Sequence, residues 1–246
     1  MKLVKEILGR IFAVWGLFLF VFTMLIFLIP FLLFSYFLTD PLKNRRFIAM
    51  SRVWMKVFLT LIGCPLKVTG KQNFKNGESY IVVCNHNSFM DVTITSPAIP
   101  GGNKTIAKSE LAKTPVFGLI YKTGSILVDR KSESSRKESF TKMKQVLEMG
   151  LHMCIYPEGT RNKSTEPLKP FHDGAFKLAV ATGKPIIPSL IFHTRDILPA
   201  NKFFLWPHRM QIDFLPAVYV TPRSSPQQLK EEVFTIMKDY YVAHTH

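Results

Sequence analysis

The sequence predicts an α/β domain, a mixed β-sheet flanked by helices, that follows an N-terminal two-helix membrane anchor. Two observations support this prediction. A long apolar segment lies near the amino terminus, and after Pro65 short β-branched runs alternate with amphipathic segments. A chain of 246 residues can form one sizeable core and an appendage. We therefore divide the chain into an anchor, residues 1–64, and a second domain, residues 65–246.

The apolar segment runs from Ile11 to Leu38 and contains no charged residue. It exceeds the roughly 20 residues that span a bilayer, and it is too long for the apolar core of a signal peptide. Pro30 interrupts it, so we expect a bend there. Basic residues lie on both sides, at positions 2, 5 and 10 and again from position 43 onward, which fits poorly with a span that has one translocated end.

A second, amphipathic helix is predicted from about Asn44 to Ile62, because apolar and aromatic residues recur there at intervals of three and four. We expect this helix to lie in the membrane interface, with its arginines among the lipid headgroups. The two helices favour an anchor that enters one leaflet at the cytoplasmic face of the cell membrane. A simple single span stays open as the alternative.

Composition indicates an anionic partner. The chain carries 32 Lys and Arg residues against 17 Asp and Glu residues, a net charge of +15, and 47% of its residues are hydrophobic. Nucleic acid, an anionic membrane surface and acidic or phosphate-bearing ligands all fit this charge. The three cysteines are isolated and odd in number, which argues for a reducing compartment and against a disulfide framework or a zinc site.

Seven short runs are predicted strands: Leu66–Thr69, Tyr80–Cys84, Thr105–Ala107, Ile126–Val128, His152–Tyr156, Ile186–Phe192 and Gln211–Phe214. Helical patterns are predicted over Ser134–Met149, Ala175–Ala181 and Pro226–Tyr241. This alternation is typical of an α/β sheet, in which ligands bind at strand ends.

The first chemical motif, N-H-N-S-F-M-D, directly follows the second predicted strand and ends at Asp91. The two side chains can meet if His86 lies on the turn after the strand and Asp91 lies within the next helix. Asp91 would then accept a hydrogen bond from the imidazole, which fixes its tautomer and stabilises the imidazolium of a general base. Taken alone, such a pair is more often structural.

The second motif, Y-P-E-G-T-R at residues 156–161, also directly follows an apolar strand. Pro and Gly favour a tight turn, and Glu158 can anchor that turn or bind a substrate hydroxyl. Arg161 offers the forked donor that suits a phosphate. The structural alternative is a hairpin turn with a surface arginine. Two motifs that each follow an apolar strand make a purely structural reading of both difficult to accept.

Over roughly residues 70–188 the chain resembles the 1-acyl-sn-glycerol-3-phosphate acyltransferase family, the lysophosphatidic acid acyltransferases. Four blocks occur in the family's order: N-H-x4-D at 85–91, G-S-I-L-V-D-R at 124–130, P-E-G-T-R at 157–161, and the apolar strand closed by P-I-I-P at 185–188. The segment A-K-S-E-L at 107–111 is also similar. Tyr156 and Asn162 stand where Phe and Ser are common, and neither departure affects the chemistry.

The resemblance implies transfer of a fatty acyl group from an acyl thioester to the free sn-2 hydroxyl of 1-acyl-sn-glycerol-3-phosphate, which forms phosphatidic acid. It implies no metal, no cofactor and no covalent acyl-enzyme. His86 would be the general base, because an alcohol is too weak a nucleophile unaided, and Asp91 would orient it.

The resemblance also implies a substrate-binding set: Glu158, Gly159, Thr160, Arg161, Arg130 and Lys108. Arg161 would hold the acceptor phosphate with Arg130 and Lys108 as helpers, and backbone N–H groups near Gly159 would face the developing oxyanion. The implied partners are an anionic membrane lipid, a lysophospholipid acceptor, and acyl-CoA or an acidic acyl carrier protein, with no nucleic acid.

Three alternatives remain at this point. A related acyltransferase could use a lyso-aminolipid acceptor that lacks a phosphate. A membrane-anchored lipid hydrolase would need an activated Ser or Cys near His86, and the sequence contains no G-x-S-x-G elbow. A non-catalytic lipid- or nucleic-acid-binding protein would explain the charge but not two motifs at strand ends.

Overall fold

The computed structural model describes residues 2–114 and 116–245, apart from the side chains of residues 34 and 35. The strands are β1 (Leu66–Thr69), β2 (Ile81–Cys84), β3 (Asn103–Lys108), β4 (Ser125–Val128), β5 (His152–Ile155), β6 (Ile186–Phe192) and β7 (Met210–Phe214). The helices are α1 (Lys2–Phe37), α2 (Leu42–Leu61), α3 (Met90–Ala98), α4 (Phe117–Gly124), α5 (Glu133–Glu148), α6 (Gly174–Thr182), α7 (Thr194–Ile197) and α8 (Pro226–His244).

The seven strands form one mixed sheet in the order β1-β7-β6-β2-β5-β3-β4. Strands β4, β3, β5, β2 and β6 pair in parallel, whereas β7 runs antiparallel to β6 and parallel to β1. This confirms the predicted fold class, and each predicted strand forms within two residues of its predicted bounds. The β-branched runs form strands because they fill the central, fully buried positions of the sheet.

Two apolar layers lie on opposite faces of the sheet, because alternate residues of a strand point to opposite sides. Val82 and Cys84 of β2 face the layer that includes α2 and α3, and α1 packs outside it. Ile81 and Val83 face the layer formed by α5, α6 and α8. Helix α8 begins as predicted with Pro226, where Ser225 and Gln228 form a reciprocal cap.

The anchor differs from the prediction in one respect. In the described part of the chain, one helix is long and apolar enough to cross a membrane, over Lys2–Leu33 of α1. Helix α2 forms over the predicted range, but residues such as Phe47, Ile48 and Trp54 are buried against α1 and the domain. The candidate anchor is therefore one helix rather than two. A bend at Pro30 stays a prediction, since α1 continues through this residue to Phe37.

One polar contact joins the two helices. The hydroxyl of Thr23 in α1 is buried, donates to the carbonyl of Leu19 at 2.7 Å and accepts from the indole N–H of Trp54 in α2 at 2.9 Å. Both polar groups are satisfied, as buried polar groups must be. The contact sets the rotation of α1 about its axis and leaves its opposite, apolar face exposed.

A segment that follows α7 also packs on α1 and closes one side of the domain. The N–H of Leu205 donates to the carbonyl of Gly9 at 2.9 Å. The side chains of Phe204 and Leu205 occupy the space that a Cβ atom at Gly9 and at Gly16 would need. The two glycines therefore let a loop of the domain approach the backbone of α1 closely.

Stability should fall in mild acid because His152 is buried as a neutral group. Its Nδ1 accepts from the N–H of Tyr80 at 3.0 Å, and burial lowers the pKa of the imidazole from 6.5 to about 4. Between these two values the unfolded chain binds a proton that the folded chain does not. The free energy of unfolding should be about 2 kcal/mol lower at pH 5 than at pH 8, from this group alone.

Urea unfolding at the two pH values measures this difference. His152→Asn supplies a non-titrating acceptor for the same N–H and should reduce the difference. His208→Gln, which removes an exposed imidazole, should leave it unchanged. A His152→Asn variant with the same pH dependence as the unsubstituted protein would contradict the prediction.

Candidate active site

Three neighbouring parallel strands deliver the chemical residues to one edge of the sheet. Strand β2 lies between β5 and β6, and the two motifs and a third segment follow the carboxyl ends of these strands. The buried side chain of Asn85 pairs with the backbone of Ile191, donating to its carbonyl at 3.0 Å and accepting from its N–H at 2.7 Å. Asn85 thus extends the pairing of β2 with β6 beyond the strand and fixes the start of the first motif.

The structure brings His86 and Asp91 together. His86 lies on the turn before α3 and Asp91 lies in its first turn, as their contact requires. The distance from His86 Nδ1 to Asp91 Oδ2 is 2.9 Å, and the Asp91 side chain is fully buried. Because an ionised carboxylate only accepts, Nδ1 carries the proton in this pair and Nε2 is the basic nitrogen of neutral His86.

Asp91 is held by more than the imidazole. Its Oδ2 also accepts from the backbone N–H groups of Asn87 at 2.6 Å and Ser88 at 2.8 Å. Its Oδ1 accepts from the hydroxyl of Thr194 at 2.5 Å. These bonds hold the buried carboxylate in a fixed position beside the imidazole.

The outer part of His86 faces a partly open site. The imidazole is 17% exposed, and among the described residues no group bonds its Nε2. The ring of Tyr156 lies under it, with ring centroids 4.5 Å apart. The Tyr156 hydroxyl is buried, and burial raises the pKa of this phenol well above 10. The phenol therefore stays protonated, and the face of its ring supports the imidazole.

Glu158 is 2% exposed, and its carboxylate binds backbone N–H groups instead of facing an open site. Its Oε1 accepts from the N–H of His86 at 2.8 Å, and its Oε2 accepts from the N–H of Lys169 at 3.2 Å. Burial raises the pKa of this carboxyl, and the two N–H donors counter the rise. Of the two roles considered from the sequence, the structure shows the anchoring one, because both oxygens are occupied without a substrate.

The turn at Gly159 uses the N–H groups that were expected to face an oxyanion. Gly159 has φ +70°, a conformation that favours glycine, and its N–H donates to the carbonyl of Tyr156 at 3.1 Å. The N–H of Thr160 donates to the carbonyl of Glu158 at 2.8 Å, and the Thr160 hydroxyl accepts from Lys169 Nζ at 2.6 Å. The oxyanion role of Gly159 would thus compete with the turn's own hydrogen bonds.

Arg161 lies where the two motifs meet. Its guanidinium stacks on the exposed ring of Phe89, with Cζ 3.6 Å from the ring centroid. Its Nη1 is buried without a partner in the described part of the chain. A buried cationic N–H that lacks an acceptor is costly, so an anion is the ligand that would satisfy it.

The two remaining predicted residues lie further out. Arg130 is exposed, follows β4, and donates through Nη1 to the carbonyl of Gly159, so it reaches the turn from outside. Lys108 is exposed at the end of β3, and its side chain forms no hydrogen bond or ion pair within the described chain. The structure thus places Arg130 against the site and leaves Lys108 free at its rim.

Sequence analysis did not identify two residues that follow β6. Thr194 bonds Asp91, and Arg195 donates to the side-chain oxygen of Asn87 at 3.1 Å and to the carbonyl of Asn162 at 2.9 Å. Arg195 therefore joins the loops that carry the two motifs. A signal existed, because polar residues after a strand that neighbours β2 in a parallel sheet are placed at the same edge.

A cavity of about 450 Å³ opens beside the site, between α1, α2, α3 and α4. Its walls are almost entirely apolar and include Phe20 of α1, Trp54 of α2 and Phe117 of α4. His86 is not part of the wall, but Phe89, which stacks on Arg161, is. The cavity thus begins next to the unpartnered arginine and ends among the helices of the anchor side.

The described residues also contain a group that could hold a metal ion, formed by the exposed side chains of His193, Asp196 and His208. It belongs to neither motif. The histidine and carboxylate of the site, His86 and Asp91, are engaged with one another and show no such grouping.

Residues 65–192, more than half of the chain, match the sequence model of the family described as Acyltransferase. The chain belongs to the acyltransferase family. The matched range contains both motifs and ends at the last residue of β6, so Thr194 and Arg195 lie just beyond it.

Curated relatives carry the same kind of name. A 1-acyl-sn-glycerol-3-phosphate acyltransferase of Cocos nucifera is 34% identical over 66% of this chain and 53% of its own length. One of Borreliella burgdorferi is 29% identical over 78% of this chain and 76% of its own length. This chain therefore spans about half of the plant relative and about three quarters of the bacterial one.

The fold has a solved counterpart. The crystal structure of the 1-acyl-sn-glycerophosphate acyltransferase PlsC from Thermotoga maritima superposes with a TM-score of 0.79 and 22% identity, over 99% of this chain and 97% of that one. At this level of identity the likeness shows the shared fold. It extends over the whole described chain, α1 and α2 included.

Glu158→Gln should lower both stability and turnover. A glutamine keeps the shape but offers one acceptor oxygen, so the N–H of His86 or that of Lys169 loses its partner. We expect a loss of about 1 to 3 kcal/mol in the free energy of unfolding, and a fall in kcat because the backbone of His86 shifts.

Thermal unfolding and steady-state kinetics measure the two effects. Glu166→Gln is the matched control, since this exposed residue lies in the same loop and its side chain forms no hydrogen bond or ion pair in the described chain. A Glu158→Gln variant as stable and as active as the Glu166→Gln control would refute the anchoring role.

Proposed function

We propose that this acyltransferase transfers a fatty acyl group from an acyl thioester to the sn-2 hydroxyl of 1-acyl-sn-glycerol-3-phosphate, forming phosphatidic acid for phospholipid synthesis. One arrangement supports this reaction most directly. The His86–Asp91 pair leaves Nε2 free on the loop whose Phe89 stacks on Arg161, and Nη1 of Arg161 is buried without a partner in the described chain. The names of the curated relatives favour the same acceptor.

The proposed reaction proceeds by direct transfer. His86 Nε2 takes the proton of the acceptor hydroxyl as the hydroxyl oxygen bonds to the thioester carbonyl carbon. The tetrahedral intermediate then collapses, the carbon–sulfur bond breaks, and the leaving thiolate takes the proton back from the imidazolium. Asp91 stabilises the imidazolium between these steps. The chemistry needs neither a metal nor a covalent acyl-enzyme, because the thioester is already an activated acyl donor.

The acceptor phosphate is proposed to bind Arg161, with Arg130 and Lys108 as more exposed helpers. A guanidinium offers paired donors that match two phosphate oxygens, and stacking on Phe89 fixes its plane. Thr160 and Gly159 form the turn that carries Arg161, so they would shape the phosphate site through the backbone. Glu158 would act on the substrate only indirectly, by holding His86.

The donor is proposed to be acyl-CoA or acyl carrier protein. Both carry negative charge, and exposed basic residues surround the segment after β4, among them Arg130, Lys131 and Arg136. The apolar cavity beside Phe89 is suited to a fatty acyl chain, because such a chain offers no hydrogen bond and loses apolar surface to water on entering it.

We also propose that the protein lies at the cytoplasmic face of the cell membrane, held by α1. The outer face of α1 exposes apolar side chains from Leu3 to Leu33, and basic residues lie on both sides of the uncharged stretch Ile11–Leu38. Near its amino end, Lys5 lies over the ring of Trp206, a pair typical of the headgroup region.

His86→Ala should leave a folded, membrane-associated protein whose kcat falls by about 10² to 10⁴, the usual contribution of a positioned general base. Acyl transfer from a radiolabelled thioester to the lysophospholipid, measured with purified protein in detergent, gives the number. His208→Ala removes an exposed imidazole outside both motifs and should stay within twofold of the unsubstituted enzyme. A kcat of His86→Ala close to that of the unsubstituted enzyme would refute the proposed mechanism.

Arg161→Lys should distinguish a phosphate-bearing acceptor from a lyso-aminolipid. Lysine keeps the charge but loses the fork and the stacking on Phe89, so use of lysophosphatidic acid should fall about tenfold or more. An aminolipid, which lacks the phosphate, should be affected less.

The same assay is run with both acceptors, and Arg223→Lys, an exposed residue outside the site, serves as the control. A larger loss on the aminolipid than on lysophosphatidic acid would overturn the proposed acceptor. Equal, small losses on both would remove Arg161 from phosphate binding.

A further inference from the structure

The two oxygens of the Asp91 carboxylate are held by different parts of the chain. Oδ2 takes its three hydrogen bonds from the loop that leads into α3, namely from His86, Asn87 and Ser88. Oδ1 takes its hydrogen bond from Thr194, which lies 103 positions further along the chain. In the part of the chain that the structure describes, the Thr194 hydroxyl is the one donor that Oδ1 has.

We propose that Thr194 is a positioning residue of the reaction, which acts through the Asp91 carboxylate on the general base His86. This inference rests on the proposed role of the His86–Asp91 pair and adds a third member to it. Thr194 does not contact the reacting atoms. It supplies the hydrogen bond to Oδ1 and holds the plane of the carboxylate in the orientation that the imidazole requires.

The Thr194 bond and the three local bonds act on the same torsion of Asp91. Rotation about the Cβ–Cγ bond moves both carboxylate oxygens together, and this terminal torsion is broad in aspartate, so a donor on Oδ1 narrows the range of angles that the three donors on Oδ2 allow. A buried carboxylate oxygen without a donor is also costly in free energy, because the hydrogen bonds to water that it loses on burial are not replaced. The Thr194 hydroxyl supplies the bond that Oδ1 needs.

The fold places the Thr194 hydroxyl before any substrate binds. His193, just after β6, has φ +67°, so the chain turns sharply and directs the next side chain back toward β2. Thr194 begins the one-turn helix α7, where its carbonyl accepts from the N–H of Leu198 at 3.0 Å. The residue is fully buried, and its β-branched side chain has few rotamers.

The alternative is a purely structural role, in which the buried Thr194 hydroxyl only needs some hydrogen-bond acceptor. The chain contains a matched example of such a threonine. Thr95 is equally buried and also donates to Asp91, but its hydroxyl bonds the main-chain carbonyl, at 2.7 Å. Thr95→Val and Thr194→Val therefore make the same chemical change next to the same residue. Only the second removes a donor from the carboxylate.

The experiment compares kcat and KM of Thr194→Val, Thr194→Ser and Thr95→Val with the unsubstituted enzyme, well below the melting temperature of each. Thr194→Val should lower kcat about 10- to 100-fold with KM within twofold, the effect of losing one hydrogen bond to a buried charge. Thr194→Ser should recover most of the loss, and Thr95→Val should stay within threefold. Thr194→Ala gives the same comparison if valine prevents folding.

A second measurement tests Thr194→Val in a protein that lacks the Asp91 carboxylate. In an Asp91→Asn background, Thr194→Val should cost less than threefold, because coupled residues are not additive. A kcat within twofold of the unsubstituted enzyme for Thr194→Val, a serine variant as impaired as the valine variant, or full additivity with Asp91→Asn would each overturn the inference.

His86→Ala, assayed in parallel, separates a failure of the proposed mechanism from a failure of the role of Thr194. Retained activity there refutes the proposed mechanism, whereas an inactive His86→Ala beside a normal Thr194→Val refutes the role of Thr194 alone.

Discussion

The site depends on one carboxylate that is buried away from water and hydrogen-bonded at both oxygens. Asp91 is fully buried, and a buried carboxylate needs hydrogen bonds that replace those it would make to water. Four donors supply them: two backbone N–H groups, one imidazole and one hydroxyl. Because each donor must approach within about 3 Å, the loop before α3 and the turn after β6 have little freedom. The geometry of the base follows from this constraint.

The parallel pairing of β5, β2 and β6 brings these segments together. Their carboxyl ends meet at one edge of the sheet, so residues far apart in sequence become neighbours. Three further side chains then lock the edge: Asn85 joins β2 to β6, Glu158 holds the backbone of His86, and Arg195 bridges both motif loops. The motif residues thus fall into three groups: the base with its orienting carboxylate, the residues that bind backbone groups, and Arg161, whose buried Nη1 lacks a partner in the described chain.

Local patterns in the sequence sufficed for the seven strands, the long helices and the pairing of His86 with Asp91, because these depend on neighbouring residues. The oxyanion role of Gly159 was harder to predict, since a P-E-G-T turn does not reveal that its own carbonyls use the N–H groups. Thr194 and Arg195 were missed for a similar reason. Their contacts bridge about 100 positions and exist only once β6 lies beside β2. The second helix of the anchor is amphipathic in sequence, and the structure buries its apolar side within the protein.

Helix α3 connects the apolar cavity to the base. Asp91 lies in its first turn, while Phe89 and Met90 at its start and Ser96 near its end line the cavity. An acyl chain in this cavity would pack along the same helix that positions the carboxylate, with its reactive end next to Phe89 and Arg161. The opposite wall belongs to α1, whose outer face is apolar and exposed. One helix thus contacts the proposed acyl chain on its inner side and is suited to contact lipid on its outer side. This places the proposed chemistry at the boundary where both substrates' apolar tails can leave water.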